Sequence, residues 1–309
     1  MSNKNMNSKW VDKILLEPNL YILTPISARC DDINLDWDFK NKVIYGPAVS
    51  KRFGLSLGIN LYPNKRVCLF DCIYCCADDS YTGYATERLE NTGVLKRLKN
   101  ELNSVLSNES LIKNLESIAF CGNGDPLLSQ YFSEAVDILE EWVQKVRETF
   151  EKRIKTGVIS NLVLNDKNIE ALRKLDEIYV KLDAVDDKIV RLINRPKNPH
   201  FRIDKYIESV NAIAKILGDK MKISTAVVFN KEDVNNYSHL KTDYSFAIRE
   251  IHVKDIYLHN INPPTPLPIK RAPLSEMIDI ARIIKKNSKK NVFVLWETYF
   301  QAIVKNQSK

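Results

Sequence analysis

From about residue 55 onward, short β-rich runs alternate with amphipathic helical runs, and this alternation restricts the fold more than any other feature of the chain. Strands are expected over residues 55–62, 117–121, 155–160, 178–183, 222–229, 255–261 and 291–296. Between them, apolar residues recur at helical spacing. Leu95, Leu98, Leu102 and Val105 form one stripe, Ala135, Ile138, Leu139 and Trp142 a second, and Met277, Ala281 and Ile284 a third. Six or seven β–α units in succession call for a parallel sheet wrapped by helices, as a barrel or as an open doubly wound sheet. In either, loops at the carboxyl ends of the strands build the site. A length of 309 residues is ordinary for an α/β barrel. Residues 1–45 show no clear β–α unit and are expected to form an extension packed on a core of residues 46–300, with 301–309 as a tail.

Apolar residues make up 44% and charged residues 28%, the balance of a globular protein. No run of 18 apolar residues suits a membrane span, and the first ten residues lack the apolar stretch of a secretory signal. A cytoplasmic protein with no membrane partner is therefore expected, in a compartment where cysteine clusters bind metal more often than they form disulfides. The net charge of +7 raises the question of a polyanionic partner. Lysine and asparagine are abundant throughout, however, and the basic residues form no single block. Their densest group, Lys285, Lys286, Lys289 and Lys290, fits the solvent face and end of a helix.

Chemistry concentrates after the first expected strand. Cys68, Cys72 and Cys75 stand in C-L-F-D-C-I-Y-C, a C-x3-C-x2-C spacing. Three thiolates so close can hold three corners of an iron–sulfur cube. Such clusters usually take four thiolates, so the fourth iron would stay open to chemistry. A structural zinc site would need a fourth ligand and usually uses paired C-x2-C units. A reactive dithiol would need only one C-x2-C pair. Cys76 adjoins Cys75 and should project differently, while Cys30 and Cys121 are distant in sequence.

This spacing, in its strand-to-loop context, resembles the signature of the radical S-adenosylmethionine (radical SAM) superfamily. The stretch Y-G-P-A-V-S-K-R-F-G-L-S-L-G-I-N over residues 45–60 resembles the lead-in of its wyosine-synthetase-like subgroup. Gly122-Asn123-Gly124-Asp125-Pro126, Lys181-Leu182-Asp183-Ala184 and Ile193-Asn194-Arg195-Pro196 fit the same pattern. The resemblance implies a partial (β/α)6-type TIM barrel and two cofactors, a [4Fe-4S] cluster and SAM. It implies reductive cleavage of SAM to methionine and a 5′-deoxyadenosyl radical that abstracts hydrogen from a substrate. An electron donor such as flavodoxin or ferredoxin follows from that chemistry. The substrate class stays open among a tRNA nucleoside, a peptide and a small metabolite. No cysteine follows Cys121, which argues for a single cluster and departs from wyosine synthesis, whose enzymes are similar in carrying a second.

Carried onto individual positions, the resemblance makes Cys68, Cys72 and Cys75 the cluster ligands and puts Tyr74 near the adenine of SAM. The 122–126 turn matches the superfamily's glycine-rich motif for the SAM amino group. As residues alone, Gly, Asn, Asp and Pro also simply prefer turns, although glycine permits close backbone approach and an Asp carboxylate can accept from an ammonium. Ser160, Asn161, Lys181 and Asp183 end the third and fourth strands, where the superfamily contacts the ribose and carboxylate of SAM. Lys181 could pair with a carboxylate, and Asn161 or Asp183 could bond hydroxyls. Arg195 could contact an anion or belong to a helix-ending turn before Pro196. His259 and Asn260, at the end of the sixth strand, are candidate substrate contacts. The proline-rich stretch 263–273 is expected to cross the barrel mouth as a lid.

Overall fold

The computed structural model describes residues 8–25, 38–39, 41–75, 77, 93–162, 166–229, 236–261, 265 and 269–296. Cys30, Cys76, the 301–309 tail and part of the expected lid lie outside them. The described strands are β1 (Val11–Glu17), β2 (Leu20–Pro25), β3 (Ile44–Ser50), β4 (Gly54–Ile59), β5 (Ser117–Phe120), β6 (Lys155–Ser160), β7 (Glu177–Lys181), β8 (Met221–Val227), β9 (Asp255–Asn260) and β10 (Asn291–Leu295). The helices are α1 (Val94–Leu106), α2 (Glu109–Asn114), α3 (Phe132–Phe150), α4 (Asp166–Lys174), α5 (Asp187–Ile193), α6 (Ile203–Leu217), α7 (Tyr237–Lys241), α8 (Asp243–Ala247) and α9 (Leu274–Ser288).

All ten strands form one sheet in the order β1-β2-β10-β9-β8-β7-β6-β5-β4-β3. Strands β4 to β10 run parallel, as the repeated β–α pattern demands, and each crossover helix packs its apolar stripe on the outer face. In α3, for example, Ala135, Ile138, Leu139 and Trp142 are all buried, and the Trp142 indole donates to the Leu102 carbonyl at 2.8 Å. The fold is thus a mixed α/β, nearly closed, barrel-like sheet.

The N-terminal segment differs from its expectation. It supplies strands to the sheet as well as packing on it: β2 pairs parallel with β10, and β1 returns antiparallel along β2. Ahead of β1, Ser8 and the Lys9 amide both bond the Glu116 carboxylate at 2.5 Å, and the Trp10 indole donates to the Asn114 carbonyl at 3.3 Å. These contacts draw the β1 end of the sheet toward the loop before β5.

Residues paired across parallel strands share a face. One inner layer joins Lys181, Ser224, Tyr257, Phe293 and Tyr21; the next toward the carboxyl ends joins Ala226, His259, Leu295 and Leu23. Tyr179 and Lys222 form a layer toward the amino ends. Aromatic rings fill much of the lumen, with Tyr257 stacked on Phe293 at 4.5 Å and edge-on to Tyr179 at 5.0 Å. Gly157 is glycine because an added Cβ would lie 2.5 Å from the Phe53 ring.

Candidate active site at the carboxyl ends of the strands

The cysteine loop follows β4 and is held from two sides. On one side Val67 bridges Gly124, and the Asp125 amide donates to the Val67 carbonyl at 2.8 Å. On the other, the segment after α5 runs along it. The Ile73 amide donates to the Ile193 carbonyl at 2.9 Å, the Asp71 amide to those of Asn194 and Arg195 at 3.1 Å, and the Lys197 amide to that of Leu69 at 2.9 Å. Beneath the loop, Arg66 is 2% exposed, donates to the Phe70 carbonyl at 3.2 Å and lies 3.4 Å from Asp71. The two motifs that flank the loop in space are 122–126 and 193–196.

The 122–126 turn owes its glycines to this packing. Gly122 and Gly124 have φ of +140° and +118°, and a Cβ on Gly124 would lie 2.2 Å from the Val67 carbonyl oxygen. Asp125 uses its carboxylate inside the protein. It accepts from Ser160 Oγ at 2.7 Å, the Asn161 amide at 2.7 Å and the Leu127 amide at 3.1 Å, so it ties the end of β6 to the turn and caps the short helical turn beginning at Pro126. Asn123 behaves differently. Its amide is held by Asn60 Oδ1 at 3.1 Å, while its own Oδ1 is buried with no hydrogen-bond partner. Buried polar atoms are nearly always satisfied, so this oxygen has the character of a ligand acceptor.

Asp183 is a hub. The Tyr74 hydroxyl donates to its carboxylate, as do Asn194 Nδ2 at 2.6 Å and the Ala226 amide at 2.6 Å, and the Lys181 ammonium lies 3.1 Å away. Lys181 also reaches His259 Nε2 at 2.6 Å, and its ammonium stands 5.1 Å above the Tyr74 ring. Tyr74, Lys181, Asp183 and His259 are therefore brought together. Asn260 is instead spent on structure, clamping both the amide and the carbonyl of Ala272. Arg195 is exposed, has φ of +47° and ends α5, so its backbone in the turn supports the cysteine loop. Cys121 meets the Tyr45 hydroxyl at 3.0 Å.

Two asparagines complete the surroundings of the sulfurs. Asn161 Nδ2 points at Cys68 Sγ, 3.7 Å away, and Asn194 Nδ2 at Cys72 Sγ, 3.5 Å away; the Phe70 amide also donates to Cys68 Sγ at 3.4 Å. Sequence reasoning missed Asn194, Asn60 and Asn236 as members of this network. Asn236 bonds the Asp183 and Ala226 carbonyls at 2.8 Å. Asn60 and Asn194 fall inside stretches quoted for the resemblance, 45–60 and 193–196, but nothing there assigns them this role; Asn236 has no local signal, asparagine being common along this chain.

The radical SAM superfamily model matches residues 65–240, more than half of the chain and including the cysteine loop. The chain belongs to the radical SAM superfamily. Its cofactors are accordingly a [4Fe-4S] cluster and SAM. A UPF0026 protein from Helicobacter pylori is 26% identical over 225 residues, covering 72% of this chain and 67% of that protein. The UPF0026 protein MJ1312 from Methanocaldococcus jannaschii is 26% identical over 252 residues, covering 81% and 73%. A solved radical SAM methyltransferase from Sphaerobacter thermophilus shares the fold at a TM-score of 0.51 and 14% identity, over 79% of this chain and 66% of that structure.

The residues present fit both radical SAM cofactors. N–H groups aimed at cysteine sulfurs suit thiolates bound to iron, and the orphaned Asn123 oxygen suits an ammonium. Among the described residues no three His, Cys, Asp or Glu side chains converge on one point to hold a single ion. A cube needs no such convergence, because each thiolate binds a different iron. Burial pushes the Cys72 thiol up to about 12, with the Asp183 charge adding to the effect, and pushes Cys68 up as well. Those thiols keep their protons until a cation replaces them. Burial also lowers Lys181 and holds His259 well below the usual histidine range, with the neighbouring Lys181 charge acting in the same direction. His259 is thus neutral, accepting from Lys181 at Nε2, with Nδ1 3.4 Å from its acceptor, the Asn260 carbonyl. Among the described residues no helix is long and apolar enough to cross a membrane.

Proposed function

We propose that this protein is a single-cluster radical SAM enzyme in which Cys68, Cys72 and Cys75 ligate the [4Fe-4S] cluster and leave the fourth iron for SAM. The observation that carries the reading is the pairing of amide donors with two of the three sulfurs, next to a turn whose Asn123 oxygen is buried and unpartnered. When bound, the cluster and SAM supply the one-electron sulfonium cleavage and the hydrogen-abstracting 5′-deoxyadenosyl group. The chain supplies position. Asn123 and the 122–126 backbone accept from the SAM ammonium, Lys181 pairs with its carboxylate, and Asn161 donates to its hydroxyls. Asp125 with Ser160 and Asp183 with Asn194 act through these groups, keeping turn, strand ends and Tyr74 in register. The neutral imidazole of His259 faces the lumen as a substrate contact.

Anaerobic reconstitution tests the reading. About four irons per chain and 5′-deoxyadenosine formation under reduction are expected; a chain that takes up iron yet cleaves no SAM would be a structural iron–sulfur protein instead. The reductant is proposed to be a flavodoxin or ferredoxin. For the substrate, an RNA nucleoside, a peptide and a small metabolite all stay open: the 45–60 resemblance points to the first, while a single cluster departs from wyosine synthesis. Binding of RNA should then weaken steeply with salt, and a flat response would exclude it.

A further inference from the structure

The parallel strands have a second mouth. At their amino ends lies a cavity of about 520 Å³, a volume typical of small-molecule sites. Gly54 opens β4, Glu116 precedes β5, and Lys155, Glu177 and Lys222 stand at the starts of β6, β7 and β8; all of them line it. The cavity is therefore at the opposite end of the strands from the cysteine loop.

Its walls carry seven lysines and arginines against three carboxylates. Those carboxylates are already occupied. Glu116 accepts from Ser8 and Lys9, Asp176 from Arg153 at 3.0 Å and the Thr156 amide at 2.9 Å, and Glu177 from Lys155 at 3.4 Å and the Tyr179 hydroxyl at 3.0 Å. Three of the other cations sit against dipoles and rings, with Asp255 and Glu116 acting on Lys13 and Lys152 only through space. Lys222, 7% exposed, donates to the Asp219 carbonyl at 3.3 Å, and Lys152 donates to the Lys113 carbonyl at 3.1 Å. Lys13 sits 4.0 Å above the Tyr21 ring. Burial lowers the proton affinity of Lys13 and Lys152, as expected where no carboxylate compensates it fully. Lys51, also 7% exposed, and Arg52 complete the basic wall, while Val11, Leu23 and Phe53 give the cavity an apolar side.

We propose that this amino-end mouth binds a small phosphate-bearing anion at a site separate from that of SAM. A concave wall with an excess of one charge concentrates counter-ions. Here the cations come from β1, the turn after β3, the loop before β6 and β8, so they surround a multiply charged group on several sides. Arg52 extends from this wall into the lumen, where it donates to Ser224 Oγ at 2.8 Å; Ser224 is the cross-strand partner of Lys181. The two mouths are thereby joined through one side chain and one strand pair.

The test is calorimetric titration of the full, anaerobically reconstituted chain at physiological salt, with inorganic pyrophosphate and with glucose 6-phosphate, in the presence of SAM. Saturable binding at one site is expected, weakened about tenfold by Lys222→Gln and by Lys13→Gln, each of which removes a charged donor. The rim variant Lys152→Gln, whose side chain bonds a surface carbonyl, should weaken it in the same direction. Cys72→Ala, which disables the cluster, should leave it unchanged. The tighter probe tells whether the source is inorganic or organic phosphate. Absence of saturable binding for both probes overturns the proposal, as does binding that all three lysine variants leave within about twofold. Displacement by SAM, or loss in Cys72→Ala, would also overturn it by moving the anion to the cluster face.

Discussion

The two mouths of this barrel handle buried charge in opposite ways. At the carboxyl ends, Asp125 and Asp183 are each saturated by several donors drawn from different loops, and Lys181 is placed against Asp183 and a neutral His259. At the amino ends, three carboxylates stand among seven lysines and arginines; each accepts from neighbouring groups, Lys155 among them, while Lys222 meets a carbonyl and Lys13 a ring. A saturated network holds loops rigidly, which suits the placing of a cluster and a zwitterionic cofactor. A wall with an excess of positive charge attracts an anion. The same strands thus end in a positioning device on one side and an electrostatic trap on the other.

Substitutions separate these two characters. The largest effect is expected from Cys72→Ala, which should lower iron content and abolish 5′-deoxyadenosine formation while the chain stays folded; iron assay with product chromatography checks it. Gly124→Ala should come next, costing about 3 kcal/mol of stability, because its backbone conformation disfavours a side chain and the added Cβ meets the Val67 carbonyl. Denaturant unfolding would measure that loss. Asp125→Asn should cost about 2 kcal/mol in the same assay, since an amide cannot accept from Ser160, Leu127 and Asn161 together. At the other mouth the sign should reverse. Lys222→Met is expected to raise stability by about 1 kcal/mol by removing a largely buried charge whose hydrogen bond among the described residues goes to a carbonyl, and a loss there would show that the amino-end cations are compensated after all.

The smallest effect concerns pH. His239 is buried, accepts the Val185 amide at 2.9 Å, and is lowered below the usual histidine range chiefly by burial, with Asp243 opposing. The unfolded chain therefore takes up this proton first as pH falls. Its contribution is complete above about pH 6.5 and is lost progressively below it. Thermal melts between about pH 7.5 and 5.5 should show a decline that His239→Gln reduces.

Much of this architecture was legible from local pattern. All seven expected strands are present, and their alternation with apolar helical stripes was enough to call for a parallel sheet. Several expected strands run one or two residues past the observed ends, as 178–183 does against Glu177–Lys181. Those overruns are where the chain leaves the ladder to build the site, so apolar and polar functional residues blur the boundary. The N-terminal hairpin was not legible. In β1, Ile14, Leu15 and Leu16 are all partly exposed, and without a clean two-residue alternation nothing local distinguishes an added edge strand from an irregular segment.

Sequence alone determined the cysteine spacing, the turn chemistry of 122–126 and the succession of β–α units, because each depends on residues close together along the chain. Tertiary structure decided the rest. Asn161 and Asn194 reach the sulfurs from 93 and 122 residues away, and Asp125 turns out to clamp two loops. Seven of the basic residues that looked scattered are gathered at one mouth because Lys155 and Lys222 stand at the starts of β6 and β8, on either side of β7, and Lys13, Lys51, Arg52, Lys152 and Arg153 fold in beside them. Register between strands distant in sequence, fixed by burial of both faces of the sheet, assembles these groups.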